Sequence, residues 1–306
     1  MLKRILVWTL IFFVGWLAFL WIKYTFFNKV YSQPEINSIF AEESLTPPEY
    51  DSVNSDGYQI YYLSNKKKVQ NEAKKPFLIL LHDSGKNSGH FLRYFKNQDF
   101  NKNFRIIALD RVGFGKTRIL FPAKDSILNP KNQLVSQHFL EDVLKNEGYQ
   151  DEEVRILSTG SAAMAGLKAY LGVASPKVRV LMFYPKIDPR FFASRWISEC
   201  IAQSPIKAIF PSGYINKHKD LLFWDQVRNE ERNQWFKLAR MKEMEIRKEK
   251  PDYSAMCFFV THSSFESKIN EIAGKNFFKT HEVKRRSIFR NPEFVYQEMQ
   301  LCNSKK

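Results

Sequence analysis

Between Val154 and Gly166 a short apolar run, Val154-Arg155-Ile156-Leu157-Ser158, climbs into a cluster of small residues, Thr159-Gly160-Ser161-Ala162-Ala163. A helical pattern then continues from Ala162 to Tyr170. Five or six residues suit a strand, and the small residues let a helix leave the strand end by a sharp turn and pack closely behind it. A strand with apolar residues at successive positions is buried on both faces, so it belongs in the middle of a largely parallel sheet covered by helices.

The rest of the chain repeats that rhythm. Tyr58 to Leu63 reads as an amphipathic strand, while Pro76 to His82 and Phe104 to Asp110 are continuous apolar runs of strand length. Gln133 to Asn146 is an amphipathic helix stopped by Gly148. Val178 to Tyr184 and Met256 to Thr261 are two more strands, and a last helix follows Pro292, carrying Phe294, Val295 and Met299. Between these two strands, residues 190–255 are rich in Trp, Phe and charge, and read as inserted helices forming a cap. Within them Trp235, Leu238 and Met241 follow helical spacing, as a cap helix facing its own pocket requires, and the same charged surface would also suit a partner or lipid headgroups.

At the N-terminus, Ile5 to Ile22 is almost wholly apolar, and eighteen residues at ~1.5 Å each span about 27 Å, close to a bilayer core. Lys3 and Arg4 precede the run. Its exit, Lys23-Tyr24-Thr25-Phe26-Phe27, is too bulky for a signal-peptide cleavage site. The expectation is an uncleaved single-pass anchor over residues 1–27, with the globular part extracytoplasmic. Residues 28–56, with Pro34, Pro47 and Pro48 and little periodicity, read as a linker, so the core is expected over 57–189 and 256–306.

The chain has 306 residues and a net charge of +15, spread along its length and without a recognised nucleic-acid module. That excess fits a solvated surface beside a membrane, and nucleic acid is not an expected partner. Cys200, Cys257 and Cys302 lack metal-ligand spacing, so neither a metal nor a cofactor is expected, and an odd count gives no disulfide framework. Cys257 reads as a core residue. Gly115-Lys116-Thr117 is not a phosphate loop, because the Gly required five residues earlier is Asp110.

Three stretches together resemble the α/β-hydrolase superfamily: Leu80-Leu81-His82-Asp83-Ser84-Gly85, Asp110-Arg111-Val112-Gly113-Phe114-Gly115-Lys116-Thr117, and the turn after Ser158. The resemblance covers about residues 57 to 300 and implies an α/β-hydrolase fold with a cap. It also implies a nucleophile on the turn, a base and an orienting acid, and backbone N–H donors for an oxyanion. The turn departs from Gly-x-Ser-x-Gly in either of two registers. With Ser158 in the first Gly position, Gly160 takes the place of the nucleophile and cannot attack. With Thr159 there, Ser161 is the nucleophile. The second register is preferred, with Asp83, Ser84 and Ala162 lining the oxyanion pocket. The base slot before Pro292 holds Arg285 or Arg286, neither of which accepts a proton at neutral pH. His281, or failing it His262, is the remaining candidate base, with Glu266 or Asp188 as the acid. Two functions are therefore expected in competition. One is a membrane-anchored fold with a degraded triad that binds a lipid, an acyl compound, a small hydrophobic ligand or a protein partner. The other is a serine carboxylic-ester hydrolase built around Ser161.

Overall fold

In the computed structural model, residues 2–27, 29–65, 75–120, 137–173, 175, 177–185, 198, 200–201, 208–211, 214–219, 229–249, 256–260, 279–283 and 288–303 are described. The centre of the molecule is a twisted sheet. Strands β1 (Glu49–Ser55), β2 (Tyr58–Ser64), β3 (Phe77–Leu81), β4 (Arg105–Leu109), β5 (Arg118–Ile119), β6 (Val154–Thr159), β7 (Val178–Phe183), β8 (Met256–Val260) and β9 (Lys279–Glu282) run in the order β1-β2-β4-β3-β6-β7-β8-β9, with β5 beside β2. From β4 to β9 every pairing is parallel, and β2 runs antiparallel to β1, β4 and β5.

The apolar runs are buried on both faces because successive side chains point opposite ways. Phe77, Ile79 and Leu81 of β3, with Val154 and Ile156 of β6, enter one core. Leu78 and Leu80, with Leu157, Leu181 and Phe259, enter the other. Helices α5 (Gln137–Asn146) and α6 (Ala163–Gly172) cover the first face. Helices α2 (Gln33–Ala41), α3 (Leu92–Lys96), α4 (Gln98–Asn103) and α8 (Pro292–Asn303) cover the second. Gly166 of α6 explains part of this closeness, since a Cβ there would lie 2.7 Å from Ser158 Oγ.

Three expectations about organisation need correcting. The segment expected as a linker supplies α2, whose Ile36 and Phe40 are fully buried, and β1, which pairs with β2 along its length. Prolines and acids masked it: Pro34 opens the helix, and an edge strand needs only one apolar face. Helix α7 (Asn229–Glu249), assigned to a cap, lays Trp235, Phe236, Ala239 and Ile246 into the same core as α5 and α6. Its Lys242 Nζ donates to the carbonyls of Tyr170 and Val173 at 2.6 and 2.7 Å. The inward stripe is therefore not Trp235, Leu238 and Met241, because Leu238 and Met241 are exposed. Third, Cys257 of β8 is core, as expected, but is also bonded to Cys302 of α8, with Cα atoms 6.3 Å apart.

The N-terminal helix α1 (Leu2–Ile22) continues through Lys23–Phe27 and is apolar enough to cross a membrane over Lys3–Thr25, with a mean hydropathy of 2.4. Most of its side chains are exposed, but its last turns are not free. Leu20 is buried against Ile201 and Phe210, with Trp16 and Tyr24 packing on the same cluster. Trp21 Nε1 donates to the Ile209 carbonyl at 3.0 Å.

Candidate functional site

Parallel strands end at one edge of a sheet, so β3, β4 and β6 deliver His82, Asp110 and Gly160 to the same place. Each of the three turns there is fastened by buried hydrogen bonds.

The turn after β4 is organised by Asp110, which is 1% exposed. Its Oδ1 accepts from Ser88 N at 2.7 Å and its Oδ2 from Lys116 N at 2.8 Å. Burial pushes its carboxyl pKa upward, and those two N–H donors oppose the shift. Gly115, at φ +57°, cannot be another residue, because a Cβ would lie 2.0 Å from Asp110 Cγ. This is the physical content of the Asp-x-x-Gly-x-Gly pattern.

His82 is fully buried at the end of β3. Its Nε2 accepts from Arg111 N at 3.1 Å, so the ring proton is on Nδ1, which donates to the Asp83 carbonyl at 2.9 Å. Desolvation, then the Arg111 charge, hold its pKa well below the ordinary value. His82 is thus a neutral pin between two turns. The fold keeps it unprotonated while the unfolded chain protonates below about pH 6.5, so it lowers stability as pH falls through that value. His218, with its pKa pushed down to about 4 chiefly by burial, acts in the same direction. Urea unfolding at pH 7.5 and pH 5.0 is expected to show a loss approaching ~1.4 kcal/mol per pH unit for each of the two below pH 6.5, with a shallower slope in His82→Gln.

The turn after β6 carries both candidate positions for a nucleophile. Thr159 is extended, Gly160 stands at φ +58°, and a 3-10 turn over Gly160–Ala162 leads into α6. The apex of the turn is therefore Gly160, and the register that put Ser161 there is not the one the backbone adopts. Of the residues at this turn only glycine takes a positive φ without strain, and that is the signal in the sequence that distinguished the two registers. The donor following the apex is then the N–H of Ser161, not of Ala162, which is buried in the core at the head of α6.

That N–H and the N–H of Ser84, from the loop after β3, converge in the manner of an oxyanion hole. Both donate to one atom already present, Asp83 Oδ1, each at 2.8 Å. The Asp83 carboxyl fills the space a side chain at position 160 would need: a Cβ on Gly160 would lie 2.3 Å from Asp83 Cγ. Ser161 Oγ is turned inward, 1% exposed by residue, where Ser84 N reaches it at 3.1 Å, Ser84 Oγ at 2.6 Å and Arg111 Nη2 at 3.4 Å.

Of the other expected members, His281 is described, and it is not gathered beside Ser161. His281 lies within β9, its ring stacked 5.4 Å from that of Phe259. Thr159, Phe183, Phe259 and His281 form one row across four strands. Three strand spacings separate its ends by about 14 Å, well beyond the ~3 Å at which a base takes a hydroxyl proton. Glu266, Asp188, His262, Arg285 and Arg286 lie outside the described residues.

The segment after α1 sits directly on this edge of the sheet. A Cβ on Gly85 would meet Tyr24 Oη at 3.4 Å, and one on Gly89 would meet Tyr31 Cδ2 at 2.8 Å.

Comparison with solved structures identifies the architecture. The Cif epoxide hydrolase of Acinetobacter nosocomialis superposes with a TM-score of 0.56 at 11% identity, over 83% of this chain and 88% of that one. A soluble variant of the monoglyceride lipase of Saccharomyces cerevisiae, solved with a substrate analogue, gives 0.52 at 14% identity, over 84% and 94%. A variant of the haloalkane dehalogenase DatA of Agrobacterium tumefaciens gives 0.52 at 12% identity, over 84% and 96%. The sequence itself matches no protein-family model and no curated protein. The chain has the α/β-hydrolase fold. Identities this low establish the fold and leave the chemistry to the site.

Proposed function

We propose that this is a membrane-anchored α/β-hydrolase-fold protein that no longer hydrolyses, and that it works by binding a lipid, a hydrophobic small molecule or a partner at the membrane surface. The observation that carries the reading is Asp83 Oδ1 on the N–H groups of Ser84 and Ser161, behind a glycine at the apex. An oxyanion hole acts by offering empty, pre-aimed donors to charge that develops in the transition state, and losing one donor costs roughly 10²–10³ in rate. Here both donors already hold a carboxylate, which would also repel a second negative charge. Glycine at the apex supplies no nucleophile, and the sequence places arginine in the base slot.

The contacts of Trp16, Leu20 and Trp21 with Ile201, Ile209, Phe210 and Tyr214 favour a retained anchor over a removed leader, since cleavage would expose that cluster. The Cys257–Cys302 bond favours an oxidising, extracytoplasmic compartment for the globular part.

Full-length protein in detergent is expected to leave p-nitrophenyl esters intact and to resist a fluorophosphonate probe, with wild type and Ser161→Ala alike. Labelling or turnover that disappears in Ser161→Ala would reverse the reading in favour of an ester hydrolase using Ser161.

A further inference from the structure

Beside the closed turn, and separate from it, is a cleft of about 800 Å³. Lys86, Arg93, Lys96 and Arg290 line it, together with the rings of Tyr31 and Phe289. Two carboxylates also face it: Glu43 pairs with Lys96 at 2.5 Å, while Glu293 accepts from the neutral Asn97 Nδ2 at 3.0 Å and keeps its charge. The remaining cations have no such partner. Arg93 donates to the Arg290 carbonyl at 3.0 Å, and Lys86 Nζ stands 5.7 Å from the centroid of the Phe289 ring. Among the described residues, Lys86, Arg93 and Arg290 form no ion pair. Four cations against two carboxylates leave this concavity net positive; the cations repel each other, and an anion held between Lys86, Arg93 and Arg290 relieves that repulsion.

The cleft's position narrows the kind of anion. Lys86 follows Gly85, which lies against Tyr24, and the charge of Lys23 at the end of α1 acts on the Lys86 ammonium. Burial is the first cause lowering the Lys86 pKa, with Lys23 and Arg290 adding to it and Asp83 opposing. On the other side the ring of Tyr31, nine residues beyond Ile22, forms the wall. One end of the cleft is thus at the level where the apolar helix ends, which is the headgroup level if α1 spans a bilayer. Phe289 and Tyr31 give it an apolar lining as well, suited to the glycerol backbone of a lipid rather than to a bare ion.

We propose that this cleft is a site for the phosphate headgroup of an anionic phospholipid from the leaflet in which α1 ends. Lys86, Arg93 and Arg290 would hold the phosphate, with Tyr31 and Phe289 against the glycerol. The site does not depend on the state of the Gly160 turn, so its failure and that of the non-catalytic reading are distinguishable.

The test uses the full chain in dodecyl maltoside micelles, followed by thermal unfolding during titration with dioctanoyl phosphatidylglycerol, dioctanoyl phosphatidylcholine or inorganic phosphate. Phosphatidylglycerol is expected to raise the midpoint saturably, and the other two to leave it nearly unchanged at the same concentrations. Removing two charges in Lys86→Gln/Arg290→Gln is expected to weaken the apparent affinity roughly 30-fold, taking about 1 kcal/mol per basic side chain near a lipid surface. Arg290→Lys, which keeps the charge, is expected to stay within a few-fold of wild type. If the double variant does not fold, Arg93→Gln/Arg290→Gln alters two exposed side chains and carries the same expectation. An equal response to phosphatidylcholine, or unaltered affinity in a folded double variant, overturns the site. Saturation by inorganic phosphate at the same concentrations overturns the lipid assignment.

Discussion

Gly160→Ala is expected to destabilise the protein by about 2–5 kcal/mol, a large loss for the addition of one methyl group. Two costs combine. An L-residue at φ +58° is strained, and the new methyl would sit 2.3 Å from Asp83 Cγ, so the turn or the carboxyl must move. Asp83→Gly alone is expected to cost less, about 1–3 kcal/mol, because the N–H of Ser161 loses its acceptor and that of Ser84 keeps only Ser161 Oγ. In Asp83→Gly/Gly160→Ala the clash is absent, and only the backbone strain and the lost hydrogen bonds remain. The pair is then expected to be more stable than the sum of the single changes by about 1–3 kcal/mol. Urea unfolding of the four proteins measures this coupling directly. Additivity within about 0.5 kcal/mol would mean that Asp83 does not occupy the space behind the apex. The result bears on function, because a serine at 160 meets the same obstacle as alanine.

Loss of the Cys257–Cys302 bond is the second large effect expected. The bond closes a loop of 45 residues, for which chain entropy alone gives about 4 kcal/mol at 25 °C. It ties β8, next to the edge strand β9, to α8 on the second face, so it also holds a helix whose last turn would otherwise be free to fray. The Cys257→Ala/Cys302→Ala protein is expected to unfold at lower urea than wild type, by an amount equivalent to about 2–5 kcal/mol. Wild type measured in dithiothreitol should move to about the same midpoint. A reductant-insensitive midpoint would show that the two thiols are not bonded in the folded protein, and would remove one support for an oxidising compartment.

The long apolar runs were legible as strands, and their largely parallel sense followed from alternation with helices. Runs such as Phe77 to Leu81 contain no information about which strand lies beside them, yet burial on both faces already demands two helical layers. The short elements β1 and β9 were not legible. Four to seven residues with few or no apolar side chains carry little periodicity, and pairing with β2 and β8 supplies what their own sequence lacks. Helix α7 was legible as a helix but not as to which side turns inward. Trp235 and Phe236 are adjacent, charge surrounds both, and Leu238 was as apolar as Ala239, which packs inward instead. The cysteine pair escaped for a similar reason. Spacing along the chain says nothing about Cα separation across β8 and α8.

At the turn itself, the residue types alone restricted the outcome to two registers, and they named every residue now found there. A single glycine among Ser158-Thr159-Gly160-Ser161, an aspartate where the loop after β3 usually has glycine, and arginines before Pro292 were all visible in one dimension. What required three dimensions was that Asp83 and Gly160, 77 positions apart, occupy one volume. Sequence determines which side chains are available and which backbone angles each tolerates, because those are properties of single residues and their neighbours. Which of two distant residues fills a shared cavity, and whether two N–H groups find their acceptor in a substrate or in the protein's own carboxyl, is set only when the parallel strands bring both loops to the same edge of the sheet.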